Sequence, residues 1–353
     1  MGDVPYLNAR LRAWRANLLT APLYETLLHL PDVAGLREAL GRTVYGKQFD
    51  TLPADAAAAR LEELFCNEWS QTVARLRRIA GEIPGAVLDI VLGRPEVENL
   101  KTILRGKQAG IGNADLLAAL LPAGALDEAA LAELARQPSA EAIVVLLTTW
   151  RSPYARVLKA ALREPREHRL EPALGGMELA LDRFYFASAR ERLGGEDQQS
   201  RLVRAWLGLL IDRVNLLVAF KLCGAGAGAE MERFFIDGGS GAPLSCCRAV
   251  ARAHDLGAAA QALEGSRYAA LATELMEEPP EGRFLMWARL ERSLDRLIIG
   301  RIRLMARADP LGIGLLLDYL PRKYQEIVNL RLLLRAKVSG IAPEEVRLLL
   351  VAG

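Results

Sequence analysis

Aromatic residues are scarce in this chain. Tyr, Phe and Trp together make up 6% of its 353 residues, Cys occurs four times and His three times. The cysteines are Cys66, Cys223, Cys246 and Cys247, with no C-x-x-C pair among them. That excludes a small disulfide scaffold, and a chain of this length can bury a core without such staples. Four free thiols are expected. His29, His168 and His254 are far apart and lack a cysteine or carboxylate at ligand spacing, so no zinc site is expected. An excess of one charge is also missing. Lys plus Arg is 45 and Asp plus Glu is 43, a formal charge of +2, without the basic surplus of a dedicated nucleic-acid binder. Long apolar runs are absent too. The apolar uncharged stretches Leu116–Leu126 and Ala142–Trp150 fall short of the ~20 residues a spanning helix needs. The N-terminal stretch has early arginines but no apolar core with a cleavage site, so no signal peptide is expected. The expectation is a soluble protein with no transmembrane segment of its own.

What the sequence does have is leucine, at 63 of 353 residues, with abundant Ala, Arg and Glu. That favours helix over strand. Apolar residues recur at helical spacing, as in Ile327, Leu330, Leu333 and Leu334. Turn signals break the pattern at Leu30-Pro31-Asp32, Gly194-Gly195, Gly224–Gly228 and Asp309-Pro310. No period-two alternation is long enough to build a sheet. The fold class expected is all-α.

Internal repetition sharpens this. Three segments align without gaps: Glu96-Val97-Glu98-Asn99-Leu100, Asp212-Arg213-Val214-Asn215-Leu216 and Glu326-Ile327-Val328-Asn329-Leu330. Each has an acid, Asn-Leu three residues on, and a base six residues after Asn (Arg105, Lys221, Arg335). Asn215 follows Asn99 by 116 positions, and Asn329 follows Asn215 by 114. A second landmark recurs as Leu61-Glu62, Leu181-Asp182 and Leu294-Asp295. A third is Tyr154 and Tyr268, each 61 residues before the next Asn. Tyr24 lies 75 before Asn99, which predicts an insertion near Gly41–Asp55. The reading is three copies of one helical module of roughly 115 residues: residues 1–125, 126–243 and 244–353. Three copies can stack as a solenoid or close into a pseudo-threefold ring. Acid and Asn share a helix face. A buried Asn can donate to the carboxylate and accept from backbone, pinning one helix on another. The repeat motif is therefore expected to be structural.

Other patterns look chemical and are not. Gly41 to Lys47 fits G-x-x-x-x-G-K, but Gln48 stands where Ser or Thr would hold magnesium, and Leu36–Leu40 reads as helix rather than strand. Gly224–Gly228 follows a helix and reads as its C-cap and loop. Adjacent carboxylates such as Glu62-Glu63 and Glu344-Glu345 diverge on a helix and read as solvated faces. No catalytic, cofactor-binding or metal-binding residues are expected. An all-α enzyme would need clustered acids in a pocket, and none is evident. A free-standing helical scaffold for protein–protein interaction is the alternative reading.

Tyr6-Leu7-Asn8-Ala9-Arg10-Leu11-Arg12, Thr43-Val44-Tyr45-Gly46, Glu98-Asn99-Leu100-Lys101, Asn215-Leu216 with Phe220-Lys221-Leu222, Asp309-Pro310-Leu311-Gly312 and the Asn329-Leu330-Arg331 stretch form an ordered set. Together with the repeat, they resemble the central-stalk C protein of archaeal and bacterial A/V-type ATPases, homologous to the d protein of vacuolar ATPases. The resemblance spans nearly the whole chain. It implies three similar helical-bundle domains with pseudo-threefold symmetry, forming a funnel. It also implies a rotor role without an ATPase site. The funnel would couple a central shaft, built of the D and F proteins, to the membrane proteolipid ring, on the cytoplasmic face, for proton or sodium transport. On that basis Arg105, Lys107, Lys221, Arg335 and Lys337 are candidate partner-binding residues. The plainer reading is basic helix ends favoured by the helix dipole.

Overall fold

The computed structural model describes residues 4–50, 52–53, 57–163, 173–225, 229–277 and 283–351. Among the described residues its regular structure is helical, apart from an isolated bridge between Ala123 and Leu126. In chain order the helices are α1 (Val4–Ala16), α2 (Ala21–His29), α3 (Val33–Gly41), α4 (Gly46–Phe49), α5 (Ala58–Ile79) and α6 (Glu82–Gln108). Next come α7 (Asn113–Ala119), α8 (Glu128–Arg136), α9 (Ala140–Thr149), α10 (Pro153–Arg163) and α11 (Ala173–Glu191). The last third holds α12 (Gln198–Leu222), a 3-10 turn (Ala229–Phe234), α13 (Leu244–Arg252), α14 (Leu256–Ala262), α15 (Ala269–Glu277), α16 (Arg283–Ala308), α17 (Gly314–Ser339) and α18 (Pro343–Leu349).

The short helices start where side chains can hold their first amides. Asp32, Asp127, Ser139 and Asp255 each accept from a first-turn N–H, and Asp197 does the same for long α12. The three repeat motifs lie on the long helices α6, α12 and α17, of 27, 25 and 26 residues. A short helical segment starts fourteen residues after each Asn, at Asn113, Ala229 and Pro343. The repetition read from sequence thus extends to element positions.

The chain divides into two compact units. One is Gly85–Glu196, containing most of α6 and α7 to α11. The other joins both ends of the chain, Met1–Pro84 with Asp197–Gly353. Neither division falls at 125 or 243, where equal spacing set module boundaries. In the first unit, α10 packs on α9 and α11, and α7 on α8. In the second, α17 packs on α1, α3, α5 and α16, while α12 packs on α13 and α16. The N-terminal helices therefore wrap the last long helix. Leu100, Leu216 and Leu330, the leucines following each Asn, are buried.

Among the described residues no helix is long and apolar enough to cross a membrane. Leu36–Leu40 lies in α3, and added bulk at Gly46 would meet the Gly41 carbonyl 2.2 Å away, so that glycine pair makes a tight turn. Gly224 ends α12 with φ +74°, while Gly226–Gly228 lie outside the described residues.

Candidate functional site

The repeat motif builds the same polar station three times. Asn99 donates Nδ2–H to the Leu121 carbonyl (2.7 Å) and accepts the Leu121 N–H on Oδ1 (3.2 Å). Asn215 makes the same pair with Ile236, at 2.8 and 2.9 Å. Asn329 makes it with Val351, at 2.8 and 3.3 Å. The partner lies 22, 21 and 22 residues downstream. An asparagine amide matches a peptide group with one donor and one acceptor, so it satisfies an extended residue that has no helical or sheet partner. The amide was expected to donate to the neighbouring carboxylate. It bonds backbone on both sides instead, because a peptide group offers both a donor and an acceptor whereas a carboxylate only accepts.

Glu96 accepts the Ala125 N–H and a hydrogen bond from the Tyr154 hydroxyl. Asp212 accepts the Gly241 N–H (2.7 Å) and the Tyr268 hydroxyl (3.0 Å). In both stations the amide is 29 residues past the acid. Glu326 accepts the Leu19 N–H (2.6 Å), the Tyr45 hydroxyl (2.6 Å) and the Lys323 ammonium (2.8 Å). Its amide and tyrosine thus come from the other end of the chain. Burial raises the Glu96 and Asp212 carboxyls above their ordinary values, and the N–H and hydroxyl donors partly offset it. Burial and the adjacent carboxylates push the Tyr45, Tyr154 and Tyr268 hydroxyls well up, so all three stay protonated as donors.

Two glycines make room for the acids. A Cβ on Gly124 would sit 1.7 Å from Glu96 Oε2, and one on Gly239 would sit 2.1 Å from Asp212 Oδ1. Gly124 also has φ +64°, a left-handed conformation that side chains disfavour.

The tyrosine equivalent to Tyr154 and Tyr268 is Tyr45, not Tyr24. Tyr45 precedes Asn99 by 54 residues, so the first segment is shortened rather than lengthened by an insertion near Gly41–Asp55, the last residues of which are outside the described set. The signal was present in sequence: Thr43-Val44-Tyr45, Ser152-Pro153-Tyr154 and Ser266-Arg267-Tyr268 share a hydroxyl two residues before Tyr. Thr43 Oγ1 donates to the Leu40 carbonyl and accepts the Tyr45 N–H. Ser266 Oγ does the same with Leu263 and Tyr268.

The Leu-acid landmark forms a second set of bonds to the motif helices. Asp182 Oδ1 accepts from Arg94 and from buried Lys101, each at 2.6 Å. Asp295 accepts from Arg213 at 2.5 and 3.1 Å. Glu62 accepts from Arg331 at 2.9 Å and from Arg335. Glu62 is therefore no solvated face; α17 docks on it. Four of the five basic partner candidates also make internal bonds. Arg105 forks onto Glu178, Arg335 pairs with Glu62, and Lys107 and Lys337 donate to the Ala135 and Leu28 carbonyls, near the ends of α8 and α2. Lys221 is exposed on the last turn of α12.

Two further motifs meet in the second unit. Asn8 Nδ2–H donates to the Gly312 carbonyl (2.9 Å), and Arg12 donates to the Pro310 carbonyl (2.6 Å). Asp309 caps the turn by accepting the Gly314 N–H. So Tyr6–Arg12 on α1 grips the Asp309–Gly312 turn before α17. Among the described residues no group of three or more His, Cys, Asp or Glu side chains is placed to hold a metal ion.

These features define a helical repeat protein whose buried ionisable residues are bonded chiefly to one another. The chain belongs to the ATP synthase (C/AC39) subunit family, whose model it matches over residues 7–349. It is 32% identical over 352 residues to the C subunit of the V-type ATP synthase of Thermus thermophilus, covering 98% of this chain and 97% of that protein. It is 25% identical over 352 residues to the C subunit of the A-type ATP synthase of Methanocaldococcus jannaschii, covering 98% and 86%. A third relative, the corresponding A-type protein of Methanosarcina mazei, is 25% identical over 351 residues, covering 97% and 91%.

Proposed function

We propose that this chain is a non-catalytic rotor subunit of an A/V-type rotary ATPase. It sits peripherally on the cytoplasmic face and couples a D/F shaft to the membrane proteolipid ring for proton or sodium transport. The observation that carries this reading is the polar station built three times on α6, α12 and α17. A torque adapter needs stiffness, and a buried bidentate Asn with a hydrogen-bonded carboxylate beside it resists sliding of packed helices.

The arrangement proposed is three similar modules about a pseudo-threefold axis, forming a funnel. Each module consists of a motif helix with the segment that follows it: 85–196, 197–308, and 309–353 completed by residues 1–84. This phase keeps every acid with its tyrosine and every motif-helix base with its Leu-acid partner. It shifts the modules relative to 1–125, 126–243 and 244–353.

Arg105, Lys107, Lys221, Arg335 and Lys337 remain the proposed basic contacts, with Lys221 and Arg105 the exposed ones. Reversing charge at Arg335 would also break its bond to Glu62, so Lys221→Glu gives the cleaner reading.

The test is reconstitution of the full chain with purified shaft and with purified ring. Binding to both, and loss of ion-coupled ATP hydrolysis in complexes lacking the chain, is the expected result. Binding to neither would leave the free-standing scaffold reading. Nucleotide turnover by the isolated chain would overturn the non-catalytic assignment.

A further inference from the structure

Behind the third station lies a cleft of about 100 Å³, lined by Tyr24, Glu25, Arg292, Arg296, Arg347 and Val351 among others. Arg292 and Arg296 are one turn apart on α16, and Arg347 is on α18. Arg292 Nη1 donates to the Arg347 carbonyl at 2.6 Å. Arg347 Nη2 lies 2.9 Å from Glu25 Oε2 and 2.9 Å from His29 Nε2. Arg296 reaches Glu274 Oε1 only at 3.5 Å, and that oxygen already accepts from Ser293 Oγ at 2.6 Å.

The charges do not balance. Three arginines line the cleft with one carboxylate, Glu25, while Glu274 meets Arg296 from outside the lining. Burial, then the neighbouring Arg296, hold the Arg292 guanidinium below its ordinary value. A cationic surplus gathered in a concavity is unfavourable by itself and favourable once an anion enters. Guanidinium forks match the oxygens of a tetrahedral oxyanion, and the opening is of the size of one such group.

We propose that this cleft binds a phosphate-class oxyanion, with Arg292, Arg296 and Arg347 as its donors. The site does not depend on the rotor reading. It draws on α2 near the start of the chain and on α16 and α18 near its end, so an occupant ties the two ends together. Binding to the native state alone would therefore raise thermal stability.

The test uses the full chain and the Arg296→Gln variant, chosen because Arg296 is exposed and makes only the long contact to Glu274. Thermal unfolding is followed in sodium phosphate and in sodium chloride of equal ionic strength. ADP, and vesicles of phosphatidylglycerol against phosphatidylcholine, form the other arms. The expected result is a saturable rise in Tm with phosphate or ADP, absent with chloride and about tenfold weaker in apparent affinity for R296Q. Binding confined to phosphatidylglycerol vesicles, and reduced in R296Q, assigns the oxyanion to a lipid headgroup. No response in any arm beyond chloride, or a response unchanged by R296Q, overturns the proposal.

Discussion

The Tyr45 hydroxyl donates to Glu326 Oε1 at 2.6 Å, across 281 positions of chain. Tyr268 makes the same bond to Asp212 across 56. The chemistry is one and the connectivity is two. At Asp212 the tyrosine follows its acid, and at Glu326 it precedes it, on the turn before α4. Lys323 adds to this station alone, with Nζ 4.8 Å from the centre of the Tyr45 ring.

Each motif asparagine should be costly to remove. Asn99→Ala, Asn215→Ala and Asn329→Ala each lose two bonds and leave a backbone N–H and C=O without their partner. We expect a loss of about 2–4 kcal/mol per site in denaturant unfolding. Hydrogen exchange should quicken at the Leu121, Ile236 or Val351 amide of the altered station. Unchanged protection there would show that the bidentate bond does not hold the segment.

The glycines against the acids should not tolerate a methyl group. Gly239→Ala places a carbon where Asp212 Oδ1 stands and should cost about 1–3 kcal/mol. Gly41→Ala, with nothing within 4 Å of the added atom, is the control and should be near neutral. Equal effects from both substitutions would contradict the packing argument.

The station carboxyls set a pH dependence of definite sign. Glu96 and Asp212 are raised in the fold, so folding favours their protonated forms. Their contribution is complete below the unfolded value, at about pH 4, and declines as pH rises through the raised folded value. Glu96→Gln and Asp212→Asn lack this decline. As pH rises above about 4 the stability of each variant should improve relative to the natural chain. A relative loss over that range, measured by urea unfolding, would reverse the sign and refute it.

Glu62 and Arg331 should prove coupled. Arg331 is buried and Glu62 largely so, and Glu62→Gln removes the charge that the Arg331 guanidinium meets at 2.9 Å. A destabilisation of about 1–3 kcal/mol is expected. A double-mutant cycle with Arg331→Met should show coupling on the order of 1 kcal/mol or more. Additive effects would mean that the pair is incidental.

Much of this fold was legible in the residues. Leucine-rich helical periodicity and sparse β-formers led to an all-helical chain. The thrice-repeated acid and Asn-Leu located the long helices α6, α12 and α17. The error over Tyr24 has a simple cause. Spacing was measured along the chain, while the tyrosine is placed by an ST turn. The Thr43, Ser152 and Ser266 hydroxyls carried that signal two residues before each tyrosine. The basic residues after each Asn were equally visible. Their bonds to Glu178, Glu62, Ala135 and Leu28 were not, since those partners lie 28 to 309 residues away.

The sequence by itself determined the helical class, the threefold repetition and the identity of the polar residues that recur. These follow from composition, periodicity and local spacing, which act within a turn or two of helix. Only the tertiary structure decided which acid meets which tyrosine, and that the first 84 residues pack with the last third of the chain. Glu326 takes the Leu19 N–H, 307 positions away in the chain. A buried carboxylate must find donors wherever packing brings them, because leaving it unsatisfied costs more than closing a long stretch of chain. That difference joins the two ends of this protein in one compact unit.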